Sequence, residues 1–326
     1  LIQVHITYLD KNNRTKKFKE MQTILGSGGA IGKPLAKELS AYTDKIRLVA
    51  RNPKKVNETD DLFKADLTNP DDVDKAVSGS EIVYLTVGLE YKLKIWQVQW
   101  PLVMKNVINA CKKHQAKLVF LDNVYLYAPD QMNNMTEQSR IDPASKKGKV
   151  RAELIKMLFT EIDAGRLKGL VARSADFYGL AILSSPLGIM VLDNFKKNKK
   201  ASWQADAGKT HSFTYTPDAA KATALLGNTD DAYNQTWHLP TSPEKLTGKD
   251  FIEKIAAEMN VKPRFYILSK TMMSVLGIFI PVLKELKEMI YQSDRDYFFN
   301  SEKFTGRFPM RPVSYDEGIR EMVKAG

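Results

Sequence analysis

Met21-Gln22-Thr23-Ile24-Leu25-Gly26-Ser27-Gly28-Gly29-Ala30-Ile31-Gly32 passes from a short apolar run into three glycines spaced three apart, and on into a helical pattern. This is the spacing of a loop that holds the phosphates of a dinucleotide. Gly26 permits the sharp turn out of the strand, Gly29 lets the backbone approach a pyrophosphate, and Gly32 lets the new helix pack closely on the sheet. Backbone N–H groups at the helix start face the anion, aided by the helix dipole. The candidate cofactor loop is therefore Gly26, Ser27, Gly28, Gly29, Ala30, Ile31 and Gly32. The flanks agree, because Ile31, Leu35 and Leu39 recur at helical spacing and Ile46-Arg47-Leu48-Val49 follows as a second strand.

Beyond this unit, apolar strand-like runs at 46–50, 62–65, 82–87, 118–121 and 170–173 alternate with helical patterns at 71–77, 96–114 and 150–164. Such alternation predicts an α/β fold, a doubly wound parallel sheet with helices on both faces. After Gly179 the rhythm gives way to short mixed segments rich in proline, which mark a smaller C-terminal α+β substrate lobe. The expected organisation is a dinucleotide-binding domain over 21–179, a substrate lobe over 180–326, and parts of 211–240 packing back on the first domain. Residues 1–20 precede Met21 and read as a flexible or non-native extension.

At 326 residues with 43% hydrophobic content, the chain builds a substantial core. One cysteine, Cys111, excludes an internal disulfide framework, and four scattered histidines show no metal-ligand spacing. A cytoplasmic setting is expected. The longest apolar run, Met272 to Leu283, is too short to span a bilayer and reads as a buried or substrate-covering helix. The net charge of +11 is spread along the chain without a nucleic-acid motif, so neither nucleic acid nor membrane is expected as a partner.

Ligands of open parallel sheets sit beyond the carboxyl ends of the strands, so the strand-ending residues matter most. Nineteen residues beyond Gly32 stands Arg51, preceded by Ala50 where an NAD site carries an acid. The guanidinium can pair with a 2'-phosphate and stack on adenine, which favours NADP over NAD. Asp66, followed by Leu67, is placed to accept the adenine amino group, and Val87 and Gly88 end the next strand. Asp218, after Pro217, reads as a helix N-cap.

With these residues in view, the chain from Met21 onward resembles the extended short-chain dehydrogenase/reductase superfamily, in particular its NAD-dependent epimerase/dehydratase family and atypical members near it. The likeness rests on the Gly26/Gly29/Gly32 loop, Asp66-Leu67, the 83–88 strand, Asn106, Arg173-Ser174-Ala175-Asp176-Phe177-Tyr178-Gly179, and the later segments 211–218 and 237–240. It implies a Rossmann domain, a C-terminal lobe closing over a small-molecule substrate, and a homodimer. The family's catalysis uses a serine or threonine and a Tyr-x-x-x-Lys pair, and this chain departs from that pattern. Asn123 stands at the hydroxyl position, while Lys147 and Arg151 stand at the tyrosine and lysine positions.

Three readings follow. In one, Asn123 polarises a carbonyl, Lys147 beside another cation gives the proton, and Arg151 takes the ribose contact. In another, Tyr125 or Tyr127 supplies the proton. In the third, the protein binds NADP as a non-catalytic redox sensor or scaffold. The expected activity is that of an NADP-dependent reductase, dehydrogenase or epimerase-like enzyme on a small carbonyl or sugar-like compound.

Overall fold

The computed structural model describes residues 20–180, 185–278 and 281–325. Eleven strands occur among them: β1 Met21–Leu25, β2 Ile46–Ala50, β3 Asp61–Lys64, β4 Ser80–Leu85, β5 Lys117–Asn123, β6 Gly169–Ser174, β7 Asp176–Tyr178, β8 Ala201–Gln204, β9 Phe213–Tyr215, β10 Thr236–His238 and β11 Phe265–Leu268. Seven form one sheet in the order β10-β6-β5-β4-β1-β2-β3, and every pairing in it is parallel. The strand order reverses at β1, where β2 and β4 lie on opposite sides, so the crevice of a doubly wound sheet opens above Gly26.

Four helices belong to the first part of the chain: α1 Gly32–Leu39, α2 Pro70–Val77, α3 Leu93–His114 and α4 Lys146–Asp163. One face of the sheet is covered by α2, α3 and α4, with Trp96, Trp100, Val103, Leu154 and Leu158 in the shared core. The other is covered by α1 and by a later helix, Thr216–Gly227, through Leu35, Leu39, Ala220 and Leu226. The chain thus leaves the sheet after β6 and returns to it with that helix and β10. Helix α2 starts where the Asn69 side chain accepts the N–H groups of Asp71 and Asp72, with Pro70 at its first position.

A third core gathers Tyr178, Leu192, Trp203, Phe213, Phe251, Tyr315 and Ile319 in the C-terminal part. Two short parallel pairs, β7–β9 and β8–β11, frame it. Trp203 and Tyr178 are packing residues here, since a Cβ on Gly248 would sit 2.2 Å from the Trp203 ring, and one on Gly318 would sit 2.3 Å from the Tyr178 hydroxyl.

Two sequence expectations need correction. The Met272–Leu283 run is not one buried helix. A helix spans Lys270–Leu276, Met272, Val275 and Ile278 are exposed, and Gly277 ends the helix before a second one at Pro281–Leu286. Phe279 and Ile280 lie outside the described residues. Asp218 is not a cap either. It sits in the first turn of its helix and accepts the Val313 N–H at 2.7 Å, tying the C-terminal segment down.

Candidate functional site

The glycine loop shows why its residue types are needed. Gly26 has φ +98°, and a Cβ there would lie 2.4 Å from Val87 Cα, so loop and β4 end touch backbone to backbone. At Gly32 a Cβ would lie 2.6 Å from Ser27 Cα, which sets how closely α1 enters against the turn. The N–H groups of Gly26 and Ser27 donate to Val49 O at 2.9 and 3.1 Å, and that of Gly29 donates to Gly26 O. Among the described residues, no protein acceptor meets the N–H groups of Gly28, Ala30 and Ile31. Nothing comes within 4 Å of a Cβ on Gly28. Three free donors at the N-terminal end of α1, over an open glycine, fit a pyrophosphate.

Arg51 is exposed, with no hydrogen bond or ion pair among the described residues, and Lys54 and Lys55 are exposed beside it. Asp66 Oδ1 accepts the Thr68 N–H at 2.9 Å and hydroxyl at 2.8 Å. Those bonds hold its carboxyl below the usual range, with a smaller contribution from the charge of Arg51, so the two side chains share one corner of the crevice. Asn106 donates to Leu67 O and Thr68 O, both at 3.1 Å. It therefore anchors the turn after β3, not the neighbourhood of β5.

At the ends of β5 and β6 the structure gives each predicted catalytic side chain a partner. Asn123 Oδ1 accepts the Tyr125 N–H at 3.1 Å. Arg151 is buried against the rings of Trp100 and Phe120 and donates to Asp122 Oδ1 at 2.7 Å. Arg173 donates to the other oxygen, Oδ2, at 2.9 Å. Arg173 also donates to Tyr127 Oη at 2.6 Å, and Tyr127 meets His238 Nε2 at 2.7 Å. Because His238 Nδ1 faces the Asn300 carbonyl at 2.7 Å, the proton belongs on Nδ1, and the Tyr127 hydroxyl donates to Nε2. Burial pushes this imidazole well below its ordinary value, and Arg173 adds to that, so it is neutral. Tyr127 is fully committed to this chain. Tyr125 stacks on Trp96 with centroids 6.1 Å apart.

Lys147 is wholly buried, and its environment corrects the sequence reading. The ammonium meets Glu285 at 2.6 Å and Glu288 at 2.8 Å and lies over the Tyr91 ring, so two carboxylates surround it rather than another cation. Glu285 also accepts the Leu93 N–H at 3.0 Å, and Glu288 accepts the Lys146 N–H at 2.9 Å. One segment of the C-terminal lobe thus caps the starts of both α3 and α4. Burial pushes Glu285 up, but the Lys147 and Leu93 bonds outweigh it and leave the carboxyl below its usual value. Gly148 is required beside it, since a Cβ would lie 2.2 Å from Tyr125 O.

Sequence reasoning singled out neither Glu285 and Glu288 nor the pairing of Asp176 with His211, whose Nε2 lies 2.9 Å from Asp176 Oδ2. The only local signal was the three-residue spacing of the two glutamates. Among the described residues no group of histidine, cysteine and acidic side chains could hold a metal, and no helix is long and apolar enough to cross a membrane.

Residues 26–154 match the family model described as NAD(P)H-binding. The solved structures include that of Thermus thermophilus UDP-glucose 4-epimerase with NAD, at 18% identity and TM-score 0.74, covering 94% of this chain and 98% of that one. Methanobrevibacter ruminantium UDP-N-acetylglucosamine 4-epimerase is similar at 15% identity and TM-score 0.77, covering 95% and 98%. Bacillus anthracis dTDP-glucose 4,6-dehydratase with NAD is similar at 14% identity and TM-score 0.76, covering 94% and 96%. Comparison with curated proteins gives no match. The fold is that of the epimerases and dehydratases of the extended short-chain dehydrogenase/reductase superfamily. Within it, this chain carries an NAD(P)H-binding domain.

Proposed function

We propose that the protein is an NADP-dependent oxidoreductase, a reductase, dehydrogenase or epimerase-like enzyme acting on a small carbonyl or sugar-like substrate. The observation that carries the cofactor reading is the glycine loop, with free N–H groups at Gly28, Ala30 and Ile31 under an unpaired Arg51. Asp66, Leu67, Val87 and Gly88 complete the proposed adenine and diphosphate contacts. NADP is preferred because the residue before Arg51 is Ala50, which leaves room for a 2'-phosphate, while NAD is the molecule in two of the similar structures. When bound, the nicotinamide supplies or takes the hydride. The chain's residues contribute the binding loop, the guanidinium and a substrate space between sheet and C-terminal lobe. The single buried cysteine supports a cytoplasmic setting, and exposed Val98 and Leu102 on α3 support a homodimer.

A second reading, a non-catalytic NADP-binding sensor, draws on a specific observation: Lys147 and Arg151 are each held by carboxylates of the protein itself. Paired fluorescence titrations with NADPH and NADH, repeated on Arg51→Ala, test the cofactor assignment. NADPH is expected to bind more tightly and to lose that advantage in the variant, by about 1–3 kcal/mol for a charge-assisted phosphate contact. Turnover across a carbonyl and alcohol panel separates enzyme from sensor.

A further inference from the structure

The chain carries a net charge of +11, yet the space above the ends of β5 and β6 is acidic. Asp176 follows β6 directly and spends one oxygen on His211, whose ring stacks on Tyr297 at 4.2 Å. Burial raises the phenols of Tyr91, Tyr125, Tyr291 and Tyr297, and the charge of Asp176 adds to each, which places the carboxylate among all four rings. The lysine in this space, Lys147, is matched by both Glu285 and Glu288. Arg295, which acts on Tyr291, is paired with Asp294, and Arg151 and Arg173 lie beneath on Asp122. Around Asp176 and Lys147, three carboxylates thus face one ammonium. The neighbouring residues 181–184 and 279–280 carry no charged side chain.

The same space holds buried polar groups without a partner: the hydroxyls of Tyr91 and Tyr297 and the indole N–H of Trp96. Unmatched donors call for an acceptor, and the free oxygen of Asp176 calls for a donor. A hydroxyl group is both. A phosphate or carboxylate answers only the first and meets unbalanced negative charge with no free cation to offset it.

We infer that this site takes an uncharged polyhydroxy or hydroxycarbonyl compound and excludes substrates bearing phosphate or carboxylate, with Asp176 as the discriminating residue. The inference rests on the oxidoreductase reading above and sets this chain apart from the nucleotide-sugar enzymes whose fold it shares.

The test uses the full chain saturated with NADP. Reduction of the cofactor is followed with glycerol, xylitol and glucose against glycerol 3-phosphate, glucose 6-phosphate and lactate, and UDP-glucose is titrated calorimetrically. Turnover confined to the uncharged members and no saturable UDP-glucose heat are expected. Asp176→Asn, nearly isosteric, is expected to raise kcat/KM for the phosphorylated member of each pair, relative to its uncharged partner, by about tenfold or more. Preferred turnover of a phosphorylated member by the unaltered protein, saturable UDP-glucose binding, or an unchanged ratio in Asp176→Asn overturns the inference. NADPH titration run alongside separates the failures. Binding without any turnover removes the enzyme reading and this inference with it, and absence of NADPH binding removes the cofactor reading.

Discussion

Arg151 donates from Nε to Asp122 Oδ1 at 2.7 Å, and the carboxylate's other oxygen is held by Arg173. All three side chains are at most 3% exposed. Two buried guanidiniums depend on one carboxylate, and removing it strands both. Asp122→Ala is expected to cost about 3–5 kcal/mol, read as a fall in the urea midpoint at constant slope. An effect below 1 kcal/mol would mean that water replaces the carboxylate and that the trio is not a structural unit.

Lys147 makes a different kind of contact. It is fully buried, but Glu285 and Glu288 keep roughly a quarter of their side-chain surface exposed, so solvent takes up part of any imbalance. Lys147→Met is expected to lose about 1–3 kcal/mol, with new protease sensitivity between 281 and 292 as the two helix starts lose their caps. Adding Glu285→Gln and Glu288→Gln should restore most of the loss. If the triple variant is no more stable than Lys147→Met, packing rather than charge holds the segment down.

These two contacts also show what a sequence can and cannot display. The parallel sheet was legible because each of its longer strands is a short apolar run bounded by turn residues, and the period changes from strand to helix within a few positions. β10 has three residues, too few for any pattern, and it enters the sheet only through pairing with β6. The cofactor loop was legible because its demands are local: a positive φ at Gly26 and close backbone approaches. The rest of the site is not local. Lys147 and Glu285 are 138 positions apart, and Asp122 and Arg173 are 51 apart. A lysine on a helix reads the same whether its partner is a substrate or a glutamate from another lobe. Only the tertiary structure decides between them.

Asp218 provides a pH signature. Burial raises its carboxyl from 3.8 to about 6, against the Val313 N–H bond, which lowers it. The folded state therefore holds the proton more tightly than the unfolded chain. The stabilisation is fully present below the unfolded value and is lost as pH rises through about 6. Asp218→Asn keeps an acceptor for Val313 without that loss. Relative to the unaltered protein, its stability is expected to gain about 1–2 kcal/mol between pH 4 and pH 8, measured by thermal melts at both. A pH-independent difference would show that the carboxyl is ionised in the folded protein throughout.

The glycine loop separates folding from cofactor binding within three residues. At Gly26, φ is +98° and a Cβ would lie 2.4 Å from Val87 Cα, backbone that cannot give way cheaply. Gly26→Ala is expected to cost at least about 2–3 kcal/mol, by forcing the end of β1 away from β4, and to lose NADPH binding as a consequence. Gly28 has no positive φ, and nothing lies within 4 Å of a Cβ there. Gly28→Ala should therefore fold as well as the unaltered protein, or better by about 0.5 kcal/mol through the unfolded chain. The new methyl would stand in the space assigned to the pyrophosphate, so NADPH affinity is expected to fall about tenfold or more, a loss of about 1.4 kcal/mol. Thermal melts and fluorescence titrations of the two variants side by side check this. Unchanged NADPH affinity in Gly28→Ala would place the phosphates elsewhere and withdraw the loop from the proposed site.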